Sequence, residues 1–415
     1  MMNIMGKMSL DRKLAILSDA AKYDASCASS GGQRRDSKDG TGIGSVTGSG
    51  ICHAYAPDGR CISLLKILMT NFCIYDCAYC VNRVSSNVER ARFSPEEVVE
   101  LTLEFYRRNY IEGLFLSSGI IRSPDETMGD MVRIARLLRH EHGFRGYVHL
   151  KTIPDAAPEL IEEAGLLADR LSINVEMPTD AAVQSYAPEK SPGQIRKAMA
   201  DVRLKREAGK ERSHTGRRAA RFAPAGQSTQ MIVGADGADD STILRSATRL
   251  YSGYKLSRVY YSAFSPIPDA SAALPLVKPP LMREHRLYQA DWLLRFYGFD
   301  VEEIAGATRG GHLDLEVDPK LAWALGNRHL FPVAVNRAER EMLLRVPGLG
   351  AKTVKRVLET RRHREVRYDD LRRMGANLRQ ARPFITLPDW RPGALAEAVD
   401  LRARVVAPPE QLQLI

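Results

Sequence analysis

No stretch of the 415 residues approaches the roughly 18 uninterrupted apolar residues that a membrane-spanning helix needs, so a transmembrane protein is excluded and no membrane partner is expected. The start, Met1 to Leu17, mixes apolar positions with Lys7, Asp11, Arg12 and Lys13. It lacks the apolar core and the cleavage site of a secretory signal, which makes the cytoplasm the expected location. Cysteine is absent beyond residue 80, and a disulfide framework is not expected of a large cytoplasmic chain. The pair Gly42-Ile43-Gly44 is followed by Thr47 where a dinucleotide-binding fingerprint needs its third glycine, and no Walker A run exists. No long internal repeat is visible either, which excludes a solenoid.

What remains is an ordinary globular composition, 44% hydrophobic and 27% charged, in a chain long enough for one large domain and a smaller one. Sixty basic against fifty acidic residues give +10, which favours a polyanionic partner without naming one. Between Cys27 and Gly50 the chain is Gly/Ser-rich, with seven glycines from Gly31 to Gly50, and reads as a loop able to order over a site. From Cys61 onward short apolar runs alternate with helical patterns. Strands are expected near Ile62–Met69, Leu114–Ser117, Tyr147–Lys151, Leu171–Glu176, Gln230–Val233 and Val259–Phe264. Ser94, Pro95 and Glu97 form a helix-start signal, and further helices are expected over Met128–His140, Ala156–Leu166, Pro192–Glu207 and Asp240–Ser252. The pattern predicts an α/β protein whose parallel sheet curls into a partial (βα)6 barrel, with chemistry at the C-terminal strand ends. Four segments follow: an N-terminal helix and loop over 1–60, the barrel over 61–275, a helical connector over 276–335, and a basic helical module over 336–415.

Six cysteines stand at 27, 52, 61, 73, 77 and 80. The informative set is Cys73-Ile-Tyr-Asp-Cys77-Ala-Tyr-Cys80, three thiols in one loop just after the first expected barrel strand. Structural zinc wants four protein ligands, and no partnering pair follows. A 4Fe-4S cluster held by three thiolates leaves one iron open to a small molecule. Cys-x3-Cys-x2-Cys with aromatic Tyr79 before the last cysteine resembles the signature of radical S-adenosylmethionine (SAM) enzymes. The resemblance implies that Cys73, Cys77 and Cys80 ligate a 4Fe-4S cluster and that SAM binds the open iron. It further implies that Ser117-Ser118-Gly119 stands where relatives carry a Gly-Gly-Glu-like segment contacting SAM, and that Asn174 and Glu176 meet the ribose hydroxyls. Gln230 to Gly234 occupies the fifth-strand position where a glycine borders adenine in some relatives. Cys27, Cys52 and Cys61 are small buried hydrophobes by default, although Cys61 is also available as a fourth cluster ligand. Cys27, Cys52, Tyr75 and Tyr261 are the residues able to return hydrogen to a substrate radical.

Leu343 to Leu358 contains Val-Pro347-Gly348-Leu349-Gly350 between two short helical patterns and resembles the helix-hairpin-helix motif of DNA repair and replication proteins. Glycines there let backbone N–H groups approach a phosphate, and Lys352, Lys355 and Arg356 add charge. From Asn336 to Arg382 there are 14 Lys/Arg against 6 Asp/Glu, and Asp370 to Arg382 reads as an incomplete second copy. A third basic stretch, Arg203 to Arg221, carries eight Lys/Arg against two Glu and reads as a solvated face.

Barrel and hairpin together resemble a radical SAM family assigned to DNA modification or repair. The implied function is hydrogen abstraction from a nucleotide, with duplex DNA bound without sequence preference and flavodoxin or ferredoxin as electron donor. Two alternatives stand beside it: a DNA-binding iron–sulfur protein with a structural or redox-sensing cluster, and a radical SAM enzyme acting on RNA.

Overall fold

The computed structural model describes residues 8–21, 51–55, 61–214, 221–267 and 271–406. The Gly/Ser-rich segment, Cys27 and part of the 203–221 stretch lie outside the described residues. The chain divides into two compact units, Met1–Gly237 with Arg249–Pro279, and Ala238–Thr248 with Pro280–Ile415.

The first unit opens with helix α1 (Leu10–Ala21), followed by strands β1 (Ile51–Tyr55) and β2 (Cys61–Leu68). Helices and strands then alternate: α2 (Pro95–Arg107), β3 (Gly113–Ser117), α3 (Pro124–Arg136), β4 (Tyr147–Lys151), α4 (Pro158–Leu167) and β5 (Arg170–Ser172). Two helices, α5 (Asp180–Tyr186) and α6 (Pro192–His214), precede β6 (Gly226–Val233), and α7 (Asp240–Tyr254), whose residues up to Thr248 belong to the second unit, precedes β7 (Arg258–Ala263). The seven strands lie side by side in chain order. Strands β2 to β7 are parallel, as expected of six βα units, and β1 adds an antiparallel edge that periodicity did not reveal. Because β1 pairs with β2 from Ile51 to Tyr55, the sheet reaches back into the segment read as 1–60.

The helix-start signal is realised in full. Ser94 accepts from the Glu97 N–H while the Glu97 carboxylate accepts from the Ser94 N–H, closing a capping box ahead of Pro95. Ser123 caps α3 by accepting from the Glu126 N–H, with Pro124 at its first position, and that helix ends in a π-turn, Leu137–Glu141. Strands β3 and β6 are buried along their whole length, as parallel strands covered on both faces must be. One expected strand is shorter than the sequence suggested: β5 stops at Ser172, and Glu176 takes a left-handed conformation with φ of 66°. Asn174 therefore lies beyond the regular strand, and Glu176 rejoins β6 through an isolated parallel bridge to Met231.

The second unit is mostly helical, with α8 (Leu281–Phe296), α9 (Val301–Gly306), α10 (Pro319–Gly326) and strand β8 (Val333–Ala334). It continues through α11 (Arg340–Arg345), α12 (Ala351–Thr360), α13 (Tyr368–Arg373) and α14 (Leu378–Ala381) to β9 (Ile385–Thr386), which pairs with β8. Its core is a chain of edge-on aromatic rings, Phe299 to Trp323 at 5.5 Å, Trp323 to Phe331 at 6.2 Å and Phe331 to Phe384 at 5.0 Å. Arg345 lies over Phe299 and Trp323 while gripping the Glu303 carboxylate with two nitrogens. Among the described residues no helix is long and apolar enough to cross a membrane.

Candidate functional site

The three cysteines stand on a loop that the protein closes on itself. Thr70 and Arg92 form an antiparallel bridge at its base, reinforced by Thr70 Oγ1 donating to Ala91 O at 2.9 Å and Ala91 N–H donating to Asn71 Oδ1 at 2.7 Å. Inside the loop one guanidinium does most of the ordering. Arg90 donates to the carbonyls of Asn82 at 2.8 Å, Arg83 at 2.6 Å and Ser86 at 2.9 Å, and also to that of Asn71. A single planar fork thus bonds four loop carbonyls from both ends of the loop. Neighbouring elements pin the outside, with Ile74 N–H donating to Ile120 O at 2.8 Å and Ala78 N–H to Tyr186 O at 2.7 Å.

Gly119 shows why small residues follow β3. A Cβ built on it would stand 2.2 Å from the Phe72 carbonyl oxygen and 3.4 Å from the Cys73 Cβ, so the backbone that approaches closely here is the cysteine loop itself. Ser117 O accepts from Met69 N–H at 2.8 Å and Ser118 Oγ donates to Gly119 O at 2.7 Å.

The expected ribose pair does come to the cysteine loop. Asn174 Nδ2 lies 3.5 Å from Glu176 Oε2 and 3.5 Å from Gln230 Oε1, and Glu176 forms an ion pair with Lys190. Lys190 Nζ is 3.4 Å from the Tyr79 hydroxyl and 5.9 Å from the centre of its ring. Burial pushes the Cys77 thiol up to about 12 against the pull of Lys190, and it also raises Cys80. Burial would lower Lys190, but Glu176 and the surrounding groups more than reverse this and hold it well above the ordinary lysine range. Burial lowers Arg90 while Cys73 and Cys80 oppose the change. Lys190 thus opposes, without overcoming, the effect of burial on Cys77 and Cys80, and Arg90 is the second cation beside the loop. Neither cation was visible in the sequence: each is one basic residue in a varied stretch, brought in by the fold.

These residues fit an iron–sulfur centre of the kind three thiolates hold. The thiols come from one turn, and the Asn82 N–H points at Cys80 Sγ at 3.4 Å, a contact that stabilises sulfur carrying negative charge. The fourth-ligand alternative fares worse. Cys61 opens β2 while the loop follows its far end, which separates their backbones by about 23 Å for eight extended residues. Cys52 packs as a small hydrophobe among Ile62, Leu64, Phe115 and Tyr260. Tyr75 is 3.5 Å from Asp155 Oδ2, and burial together with that carboxylate pushes its hydroxyl up to about 12. Tyr261 is fully buried.

In the second unit, α11 and α12 flank the turn at Gly348, and α13 and α14 flank a second turn at Gly375, with φ of 78° and 87°. Gly348 O accepts from Asn377 N–H at 2.9 Å, and a Cβ on Gly348 would stand 2.3 Å from Asn377 O. This glycine is needed for packing of the two turns on each other. Gly350 is the N-cap of α12 and faces open space apart from the Tyr297 hydroxyl. Lys352 and Lys355 are exposed, the latter 3.9 Å from Glu359, and Arg356 donates to Met374 O at 3.0 Å, tying α12 to the second turn.

Residues 67–247 match the family described as the Radical SAM superfamily, and that span runs from within β2 past the cysteine loop and β6 into α7. That span holds most of the α/β sheet, which among the described residues has seven strands, and it is similar to the Radical SAM superfamily. Members of this family use a 4Fe-4S cluster and S-adenosylmethionine. Comparison with curated proteins gives no match. Among solved structures, methylornithine synthase (PylB) is 15% identical over 55% of this chain and 61% of its own, with a TM-score of 0.43. The FeFe-hydrogenase maturase HydG from Carboxydothermus hydrogenoformans is 16% identical over 55% and 49%, at 0.40. Coproporphyrinogen III oxidase (HemN) from Escherichia coli is 12% identical over 55% and 51%, at 0.35. The chain spans about half to three-fifths of the length of these proteins.

Proposed function

We propose that the protein is a radical SAM enzyme acting on DNA, in which the second unit binds the duplex and the half-barrel modifies or repairs a nucleotide. The observation that carries the enzymatic part is the meeting of Asn174, Glu176, Lys190 and Tyr79 beside a closed loop of three thiols. Cys73, Cys77 and Cys80 would hold the cluster. When bound and reduced by one electron from a flavodoxin- or ferredoxin-type donor, cluster and SAM supply a 5′-deoxyadenosyl radical, the sulfonium C–S bond breaking to leave methionine. The chain's residues position and exclude water. Glu176 and Asn174 offer carboxylate and amide oxygens to a ribose, Lys190 holds Glu176 charged and in place, and the fit of Gly119 against Phe72 sets the position of Cys73.

The DNA part rests on the twin turns and on the basic excess around them. The exposed Lys352 and Lys355 at the start of α12 suit phosphate contact, which positions without reading sequence; Ala351 N–H there already donates to the Tyr297 hydroxyl at 3.3 Å. Gly348 is a poor test residue, because bulk there disrupts the packing of the turns. Lys352→Glu is the cleaner one: it should weaken duplex binding and flatten the salt dependence by about one unit of slope.

The deciding experiment is anaerobic reconstitution with iron and sulfide, reduction, and chromatography for 5′-deoxyadenosine with and without damaged duplex or RNA. Wild type should produce it and Cys77→Ala should not. Stimulation by duplex and not by RNA supports the DNA reading. Stimulation by RNA alone, or no product from wild type, would sink it.

A further inference from the structure

Strands β2 to β7 carry five basic side chains, Lys66, His149, Lys151, Arg170 and Arg258, and no Asp or Glu at all. Gln227 identifies the helix-facing side of the sheet, since its Nε2 donates to Met199 O in α6 at 2.9 Å. Alternation and register then place Ser228, Ser172 and Arg170 on the opposite, inner face. The row continues strand by strand, with Arg170 opposite His149, His149 opposite Phe115 and Phe115 opposite Lys66. Lys66, His149 and Arg170 are each more than nine-tenths buried.

The side chains of this row touch. His149 stacks on Phe115 at 4.2 Å, Lys66 Nζ is 5.8 Å from that ring, and Arg170 Nη1 is 3.4 Å from the Tyr260 hydroxyl. Arg258 lies 5.3 Å from the Tyr260 ring. One step toward the cysteine loop, Ser172 and Ser228 stand opposite each other across β5 and β6. Their hydroxyls are buried and have no hydrogen-bond partner among the described residues. A buried orphan hydroxyl is rare in a settled fold, and two facing each other mark a position where something else binds.

We propose that this inner face holds a phosphate monoester on the substrate, with Ser172 and Ser228 donating hydrogen bonds and Lys66 and Arg170 supplying charge. A carboxylate has two oxygens and would leave part of this donor set unused, whereas a dianionic phosphate offers three terminal oxygens. Arg170 lies four residues before Asn174, about 13 Å along an extended chain, so the anion is the deep end of the substrate and its carbon skeleton points toward Asn174 and Glu176. The phosphate is therefore terminal, on a free nucleotide or on a strand end. The proposal rests on the radical SAM reading of the barrel, and its test does not require turnover.

The test is calorimetric titration of the full-length, reconstituted protein with a deoxynucleoside 5′-monophosphate, with its parent deoxynucleoside and with inorganic phosphate. The monophosphate should bind at least about tenfold more tightly than the nucleoside, and Lys66→Met and Arg170→Met should each lose about tenfold. Ser228→Ala should weaken phosphate binding several-fold while raising the melting temperature of the ligand-free protein by roughly 2 °C, because it removes a buried hydroxyl that has no partner. That opposite pair of shifts keeps the test valid even where the charge variants fold poorly. Competition by a 5′-phosphorylated duplex but not by a blunt dephosphorylated one assigns the phosphate to a strand end; competition by the mononucleotide alone assigns it to a free nucleotide. Equal affinity in wild type and variants, or a lower melting temperature for Ser228→Ala with unchanged affinity, overturns the proposal. Phosphate binding without 5′-deoxyadenosine formation refutes the enzymatic reading alone.

Discussion

Replacing Gly119 by alanine is the smallest change that should disconnect the barrel from its cysteine loop. The added methyl would sit 2.2 Å from the Phe72 carbonyl oxygen, about 1 Å inside the distance such atoms tolerate. That oxygen belongs to the backbone, so the loop must retreat as a unit. Retreat by about 1 Å breaks the two bonds that frame the contact, Gly119 N–H to Thr70 O and Ile74 N–H to Ile120 O, both now 2.8 Å. Each is worth about 1 kcal/mol, and overpacking adds about 1–3 kcal/mol, for a local cost of about 3–5 kcal/mol. A unit with this much buried sheet survives that; the position of Cys73, one residue from the clash, does not. Far-UV dichroism should show a folded protein melting a few degrees lower, while iron and sulfide bound per chain after anaerobic reconstitution fall below half. A Gly119→Ala protein with full iron content and an unchanged melting curve would refute the argument.

Three further outcomes follow from the geometry. Arg90→Gln should free four loop carbonyls and cost about 3 kcal/mol, seen as faster proteolysis within residues 70–92, and Arg90→Lys should not restore protection because an ammonium cannot span the fork. Glu176→Gln should destabilise the first unit by about 2–3 kcal/mol in urea followed by far-UV dichroism; this falls below the cost for a fully enclosed pair because 23% of the Lys190 side chain stays exposed. Adding Lys190→Met should recover part of the loss, and a double variant weaker than the single one would count against a paired role. Burial pushes the Asp314 carboxyl up, but bonds from Arg402 and from the Val317 and Glu316 N–H groups outweigh it and bring the group down to about 2 from 3.8. Its stabilisation, about 1–2 kcal/mol after screening, is complete above about pH 4 and is lost as pH falls through about 2. Arg402→Gln should therefore move acid unfolding to higher pH; coincident curves would show that the pair contributes nothing. All three tryptophans, Trp292, Trp323 and Trp390, lie in the second unit, so their fluorescence reads this transition alone.

Local signals in the sequence were strong where the physics is local. Ser94, Pro95 and Glu97 cap a helix through contacts three residues apart, and Cys73, Cys77 and Cys80 share one turn, so both were legible without knowledge of the fold. The six parallel strands were legible from short Val/Ile/Leu/Phe/Tyr-rich stretches alternating with helical patterns, although polar residues interrupt them and the first half of β6, Gly226 to Thr229, went unread. Strand β1 was not: five residues beside a Gly/Ser-rich stretch carry little pattern, and pairing with β2 alone makes them a strand. Asn174 and Glu176 lie beside one another, but the regular strand ends at Ser172 and Glu176 rejoins β6 only through an isolated bridge to Met231, with a positive φ that is a tertiary outcome. Arg90 and Lys190 act through positions reached only after folding. The inner-face basic row was hidden for another reason: Lys66, His149 and Arg170 are far apart in sequence and become adjacent through strand register.

The Arg90 fork has one more implication, for the life history of the metal centre. Because hydrogen bonds within the polypeptide dictate the shape of the turn, the socket should exist before iron arrives and persist after oxygen has stripped it. Assembly then resembles filling a mould rather than casting one, and a molecule bleached by air should regain its colour on resupply of iron and sulfide without passing through denaturation.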